Sequence, residues 1–252
     1  MADSFVVHGR DGGGPFLLVS DHAGQAIPPD LAGLGLSEAE RARHIGWDIG
    51  IDGMGRALAE LLPAVLIEQI YSRLVIDCNR APGHPTSIVR VSDETPVPGN
   101  HDLSDQQVAW RQQVILHPYH ARIARALDER QAQNRPTVLV ALHSFTPSMR
   151  GKARPWQAGI LHNRDSRLAQ IMLDLLRAEG LTVGDNEPYA LTDTSDYTVP
   201  LHAEKRGLPY LEIEIRQDLI ATPAGQAEWA QRLARLLPAA WQQFCHVYGE
   251  QP

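Results

Sequence analysis

Two short apolar runs, FLLVS at residues 16–20 and TVLVAL at residues 137–142, lead into polar residues and a histidine, His22 in the first and His143 in the second. Runs of that length, bounded by polar residues and turn formers, predict buried strands rather than helices. Polar side chains delivered just past a strand's carboxyl end stand where an open α/β sheet binds its ligands.

The rest of the chain fits that frame. Further strands are predicted at 64–70, 74–78, 157–162, 181–183 and 210–215. Helices are predicted from a capped start at Ser37 and Glu40, over 48–62, and through 104–134 with an interruption at Pro118. Others follow over 166–179, at 200–206 and over 224–244. Residues 1–15 end in GGGP and read as a flexible lead-in; residues 81–101, with four prolines and two glycines, read as a long loop. Strands alternating with helices over the whole length predict a single α/β domain over 1–252.

Charge narrows the function. Lysine and arginine number 23 against 30 aspartates and glutamates, a formal charge of −7, which disfavours a broad phosphate-binding surface and so nucleic acid as a partner. The chain has no apolar run of about 18 residues, and its amino terminus lacks the layout of a secretory signal. The expectation is a cytoplasmic protein with no membrane partner. Cys78 and Cys245 stand far apart in apolar or aromatic surroundings, as reduced packing residues do. A metal would therefore fall to histidine and carboxylate.

His22 and His143, on two strand ends, can converge on one point and form most of a catalytic metal site. For the third ligand, Gln25 stands three residues after His22 but is a poor ligand, whereas Asp48 in HIGWDIG offers charge as well as oxygen. Asp48 can equally be a helix N-cap. In YLEIEIR, alternation puts Tyr210, Glu212, Glu214 and Arg216 on one face. Two carboxylates there serve either an internal ion pair or a general base beside a metal-bound water, the latter role fitting Glu214 best. Arg73 and Arg80 bracket the strand predicted at 74–78, and Arg80 can hold a carboxylate in bidentate fashion. Arg150, Lys152 and Arg154 either add to an anion pocket or are a solvated charge run. His117, Tyr119 and His120 lie at the proline break, and the loop holding Asn186, Glu187, Tyr189, Tyr197 and Thr198 can close over a substrate. Ser144 has no nucleophile elbow around it.

In order, HAGxxxP, GWDIG, SRLVIDCNR, LHSF, NEPY, HAEKRG and EIEIRQDL run from about residue 17 to 219. This series resembles the N-formylglutamate amidohydrolase family, a branch of the zinc carboxypeptidase and aspartoacylase-like metallohydrolases. The resemblance implies a three-layer α/β/α domain with a mixed, mostly parallel sheet. It implies a zinc, or another divalent metal, held by His22, Asp48 and His143, since Gln25 departs from the wider superfamily's HxxE while an aspartate at Asp48 is the family's pattern. Asp77-Cys78-Asn79-Arg80 matches the DxNR sequence that binds substrate carboxylate, so Asn79 and Arg80, with Arg73 and Tyr197, are assigned to substrate. Glu214-Ile215-Arg216 stands where the superfamily carries its catalytic glutamate. The implied reaction is hydrolysis of a small N-acyl amino acid such as N-formyl-L-glutamate, at the end of histidine breakdown. The alternatives are another N-acyl amino acid or small peptide as substrate, or a catalytically silent carboxylate-binding protein.

Overall fold

The computed structural model describes residues 4–10 and 13–249. Its strands are β1 (Phe5–His8), β2 (Phe16–Ser20), β3 (Val65–Gln69), β4 (Val91–Ser92), β5 (Thr95–Pro96), β6 (Val138–Phe145), β7 (Ser148–Met149), β8 (Lys152–Ala153), β9 (Ala158–Leu161), β10 (Val183–Asp185) and β11 (Tyr210–Arg216). Its α-helices are α1 (Glu38–Arg41), α2 (Ile51–Leu61), α3 (Asp105–Arg111), α4 (His117–Ala132), α5 (Arg167–Ala178), α6 (Thr198–His202) and α7 (Pro223–Tyr248). Seven strands form one sheet in the order β1-β3-β2-β6-β11-β9-β10. The four central strands β3, β2, β6 and β11 run parallel, β1 and β9 pair antiparallel at either side, and β10 runs parallel to β9. This is the mixed, mostly parallel α/β sheet that the sequence led us to expect.

Both faces are covered, which is why β2 and β6 read as unbroken apolar runs rather than alternating ones. Leu18, Leu66, Val140, Leu142, Leu211, Ile213 and Ile215 pack on one side with α2, α5 and α7. Leu17, Val19, Ile67, Leu139, Ala141, Leu161 and Tyr210 pack on the other with α4 and the segment around 74–78. From β2 the chain goes to β3 on one side and later to β6 on the other. The parallel sheet thus has its switch point between β2 and β6, and a crevice opens beyond their carboxyl ends.

Four expectations are corrected. The lead-in is not without structure: Phe5–His8 is an edge strand against β3, with Val6 opposite Glu68, while residues 1–3 and 11–12 lie outside the described residues. An edge strand needs one partner only, so its sequence carries little pattern. Residues 74–78 are turns, not a strand. Their carbonyls are bound by side chains from elsewhere: Asn100 Nδ2 donates to Leu74 O at 2.8 Å, Arg111 Nη1 to Val75 O at 2.8 Å and His120 Nε2 to Cys78 O at 2.8 Å. With those groups satisfied, the buried segment needs no ladder. Pro118 does not interrupt the helix; a π-helical stretch at Gln112–Leu116 precedes it, and Pro118 falls in the first turn of α4. The 81–101 stretch contains the short β4–β5 pair, and Arg111, 1% exposed, pins it through Gly99 O and Asn100 Oδ1.

Candidate active site

Three strands deliver the site. β2 ends at Ser20, so Asp21 and His22 follow at its mouth; His143 is part of β6; and β6 pairs with β11 so that His143 stands opposite Glu214. Asp48 reaches the same point from the turn before α2. Gly50 in that turn has φ +84°, and a Cβ on it would lie 2.1 Å from Ile220 O, so only glycine fits. The Asp48 side chain is not an N-cap. Its Oδ2 accepts from Ser144 N at 3.1 Å and from His143 Nδ1 at 3.1 Å, and stands 3.6 Å from His22 Nδ1.

His22, Asp48 and His143 are all buried and offer ligand atoms within 4.8 Å of one another. Two imidazole nitrogens and one carboxylate oxygen make the three-ligand set of catalytic divalent metals, with a position left for water or substrate. The donors are also aimed. His22 Nε2 donates to Asp77 Oδ1 at 2.6 Å, which fixes the tautomer and leaves Nδ1 buried with no hydrogen-bond partner among the described residues. A buried, unpartnered imidazole nitrogen facing a carboxylate oxygen and a second imidazole fits a cation. Burial alone lowers the pKa of His143, but the neighbouring carboxylates of Asp21 and Asp48 outweigh it and raise it well above normal. Asp48 is held below the carboxylate range against the opposing effect of burial, by His22 and His143.

A cavity of about 330 Å³ contains this group, lined also by Arg73, Asn79, Arg80, Tyr189, Asp196, Glu212 and Glu214. Glu214 is 6% exposed, and burial pushes its pKa up to about 7, against the lowering influence of His143. Gly159 pairs with Glu214, and a Cβ there would sit 2.0 Å from Glu187 O; its absence lets the Glu187 backbone approach the strand beside Glu214. Arg73 donates to Asp77 Oδ2 at 2.8 Å and to Asp48 Oδ1 at 3.4 Å, so it braces the Asp48 carboxylate while facing the cavity. Turns at 72–80, in place of the strand expected at 74–78, bring Arg73 and Arg80 to the cavity and set Asp77 behind His22.

The other assigned residues differ in placement. Arg80 lines the cavity and also donates to Asn79 O and Ser195 O. Asn79 holds the neighbouring loop: Nδ2 donates to Asp196 Oδ1 at 2.8 Å, and Oδ1 accepts from Tyr197 N at 2.9 Å and Thr198 N at 3.0 Å. Tyr197 is not among the lining residues; its ring stacks edge-on against buried His120. His120 accepts from His202 Nε2 at 2.9 Å, and burial lowers the pKa of both. Gln25 is exposed and belongs to none of this. Asp21, Glu212 and Asp196 complete the surroundings. Glu212 was visible in the alternation of β11, and Asp21 had one signal, its place beside His22.

Several comparisons bear on the whole chain. The N-formylglutamate amidohydrolase family matches residues 14–221. The solved structure of gene product Atu2144 from Agrobacterium tumefaciens is 39% identical, covers 96% of each chain and superposes with a TM-score of 0.93. The N-formylglutamate amidohydrolase of Ralstonia eutropha JMP134 is 22% identical, covers 96% of this chain and 98% of that one, and has the same fold at a TM-score of 0.74. No curated protein matches by sequence. With a family match over most of its length and a 39% identical relative along nearly all of it, this chain belongs to the N-formylglutamate amidohydrolase family.

Proposed function

We propose that the chain is a zinc-dependent amidohydrolase that cleaves the N-acyl amide of an acidic amino acid, N-formyl-L-glutamate to formate and L-glutamate foremost. The observation that carries this reading is the convergence of His22, Asp48 and His143 in one small cavity with a buried glutamate, Glu214, and two arginines, Arg73 and Arg80. Zinc held by the triad supplies Lewis-acid chemistry, acidifying a water toward a pKa of about 7 and polarising the amide carbonyl.

The chain's own residues do the rest. Glu214, buried and with a pKa near neutrality, takes the proton of the attacking water and passes it to the leaving amine, a general acid–base role worth roughly 10²–10⁴-fold in rate. Arg80 binds a substrate carboxylate as a fork-shaped donor. Arg73, held by Asp48 and Asp77, has little freedom to turn away and stabilises negative charge that develops on the carbonyl oxygen. A cavity of about 330 Å³ suits a small amino-acid derivative. A second space of about 320 Å³ shares Arg73, Arg80 and Tyr189 with the first and adds His44 and Arg150, so the arginine wall is open to carboxylates from two sides.

The test is metal content of protein purified without added metal, alongside formate release from N-formyl-L-glutamate. Zinc bound and formate released establish the reaction. Zinc without formate release keeps the hydrolase and rejects this substrate; no zinc and no turnover, even with zinc supplied, leaves a carboxylate-binding protein.

A further inference from the structure

His22 and His143 are backed by two different acids. Behind His22 stands Asp77, whose charge Arg73 balances at 2.8 Å. Behind His143 stands Asp21, with Oδ2 at 3.5 Å from His143 Nε2 and Oδ1 accepting from the Thr198 hydroxyl at 2.7 Å. Asp21 is 1% exposed and Thr198 is fully buried. Asp21 Oδ2 and His143 Nε2 are each buried with no hydrogen-bond partner among the described residues, and they face each other at 3.5 Å. A carboxylate this deep costs several kcal/mol unless it is paired; the imidazole of His143 stands 3.5 Å from its Oδ2, and the buried Tyr119 hydroxyl also interacts with this carboxylate.

We infer that Asp21 is a positioning residue for the metal centre: it receives the Nε2–H of His143, fixes that tautomer, and keeps Nδ1 turned toward Asp48 Oδ2 and His22 as the ligating nitrogen. The inference rests on reading the triad as a metal site. A carboxylate behind a ligating histidine sets the ring's orientation and raises its basicity, and losing such a partner costs typically about 10–100-fold in metal affinity. Thr198 holds Asp21 in turn. Through it, the segment that Asn79 and Arg80 fasten over the cavity is connected to a metal ligand.

Zinc affinity of the full chain, measured by competition with a chromophoric chelator, tests this on wild type, Asp21→Asn and Thr198→Val. The absorption spectrum of each cobalt(II)-loaded protein reports ligand geometry, and far-ultraviolet circular dichroism reports folding. Asp21→Asn is expected to weaken zinc binding about 10–100-fold and to change the cobalt spectrum with the fold intact. Thr198→Val is expected to change both in the same direction by less. An Asp21→Asn protein with wild-type affinity and spectrum overturns the inference; should that variant not fold, a Thr198→Val protein identical to wild type in both readouts overturns it instead. A wild-type chain that binds neither zinc nor cobalt fails earlier, at the metal-site reading, and the inference falls with it.

Discussion

Among the described residues, two places gather three side chains of types that can hold a metal within 4.8 Å: His22, Asp48 and His143 at the sheet's carboxyl ends, and His8, Asp52 and Glu68 near its edge. By residue type they are alike. They differ in what surrounds the ligands. In the first, all three residues are buried, the back of His22 is hydrogen-bonded to a carboxylate, and its inner nitrogen has no hydrogen-bond partner among the described residues. In the second, Arg56 pairs with Asp52 through its Nε and Nη2 and stands 3.9 Å from Glu68, and His8 Nε2 contacts Glu68 at 3.1 Å. A cation is already built into that cluster, and two of its members are only partly buried. Convergence of ligand types is therefore not enough; a site also needs its donors turned inward and no resident cation.

The largest effect that could break this contrast is on metal content. His143→Ala is expected to reduce bound zinc from about one per chain to a small fraction, with loss of hydrolysis, whereas His8→Ala retains it. Metal analysis of the two variants decides it, and equal loss in both would show the edge cluster to be a site as well. Next comes Glu214→Gln, expected to keep its zinc yet to lower kcat by roughly 10²–10⁴-fold. Near-wild-type turnover would remove Glu214 from the chemistry. Arg80→Ala is expected to raise KM for N-formyl-L-glutamate about tenfold, some 1.4 kcal/mol, and to do far less for a formyl amide without a carboxylate. An equal rise for both substrates would make Arg80 a support for the Ser195 loop alone.

The smallest effect concerns the edge cluster. Burial pushes Glu68 from an ordinary 4.5 up to about 9, with Asp52 adding to the rise and Arg56 opposing it; burial outweighs the short His8 contact because few groups replace the lost water. The folded chain thus holds a proton that the unfolded chain releases, so this stability is full below about pH 4.5 and is lost as pH rises through about 9. Glu68→Gln keeps its neutral form at every pH. It is expected to melt above wild type at pH 8, by about 2–4 °C for each kcal/mol of difference, with the gap closing near pH 4.5. A gap independent of pH would show that Glu68 is charged in the folded protein.

Much of the site was legible because its residues sit at the ends of strongly patterned strands. β2 and β6 announce themselves through apolar runs and β11 through its alternation, and whatever follows such a run must stand at the sheet's mouth. Segment 74–78 misled for the same reason: LVIDC has a strand's composition. Its buried carbonyls are bound by Asn100, Arg111 and His120, residues that nothing local in the sequence marks as partners. Asn79 shows the limit from the other side, since its motif suggested substrate while its amide holds residues 196–198.

The sequence by itself determined the alternation of strands and helices, the burial of the central sheet, and the delivery of His22, His143 and Glu214 to strand ends, because hydrophobic periodicity and turn chemistry act over neighbouring residues. Only the tertiary structure decided that Asp48 faces the histidines rather than capping a helix. It also decided that Asp21 and Asp77 stand behind them, and that Arg73 braces two acids. Those are contacts between residues distant in the chain, fixed by strand order and by the need to pair every buried charge, and no local pattern encodes them.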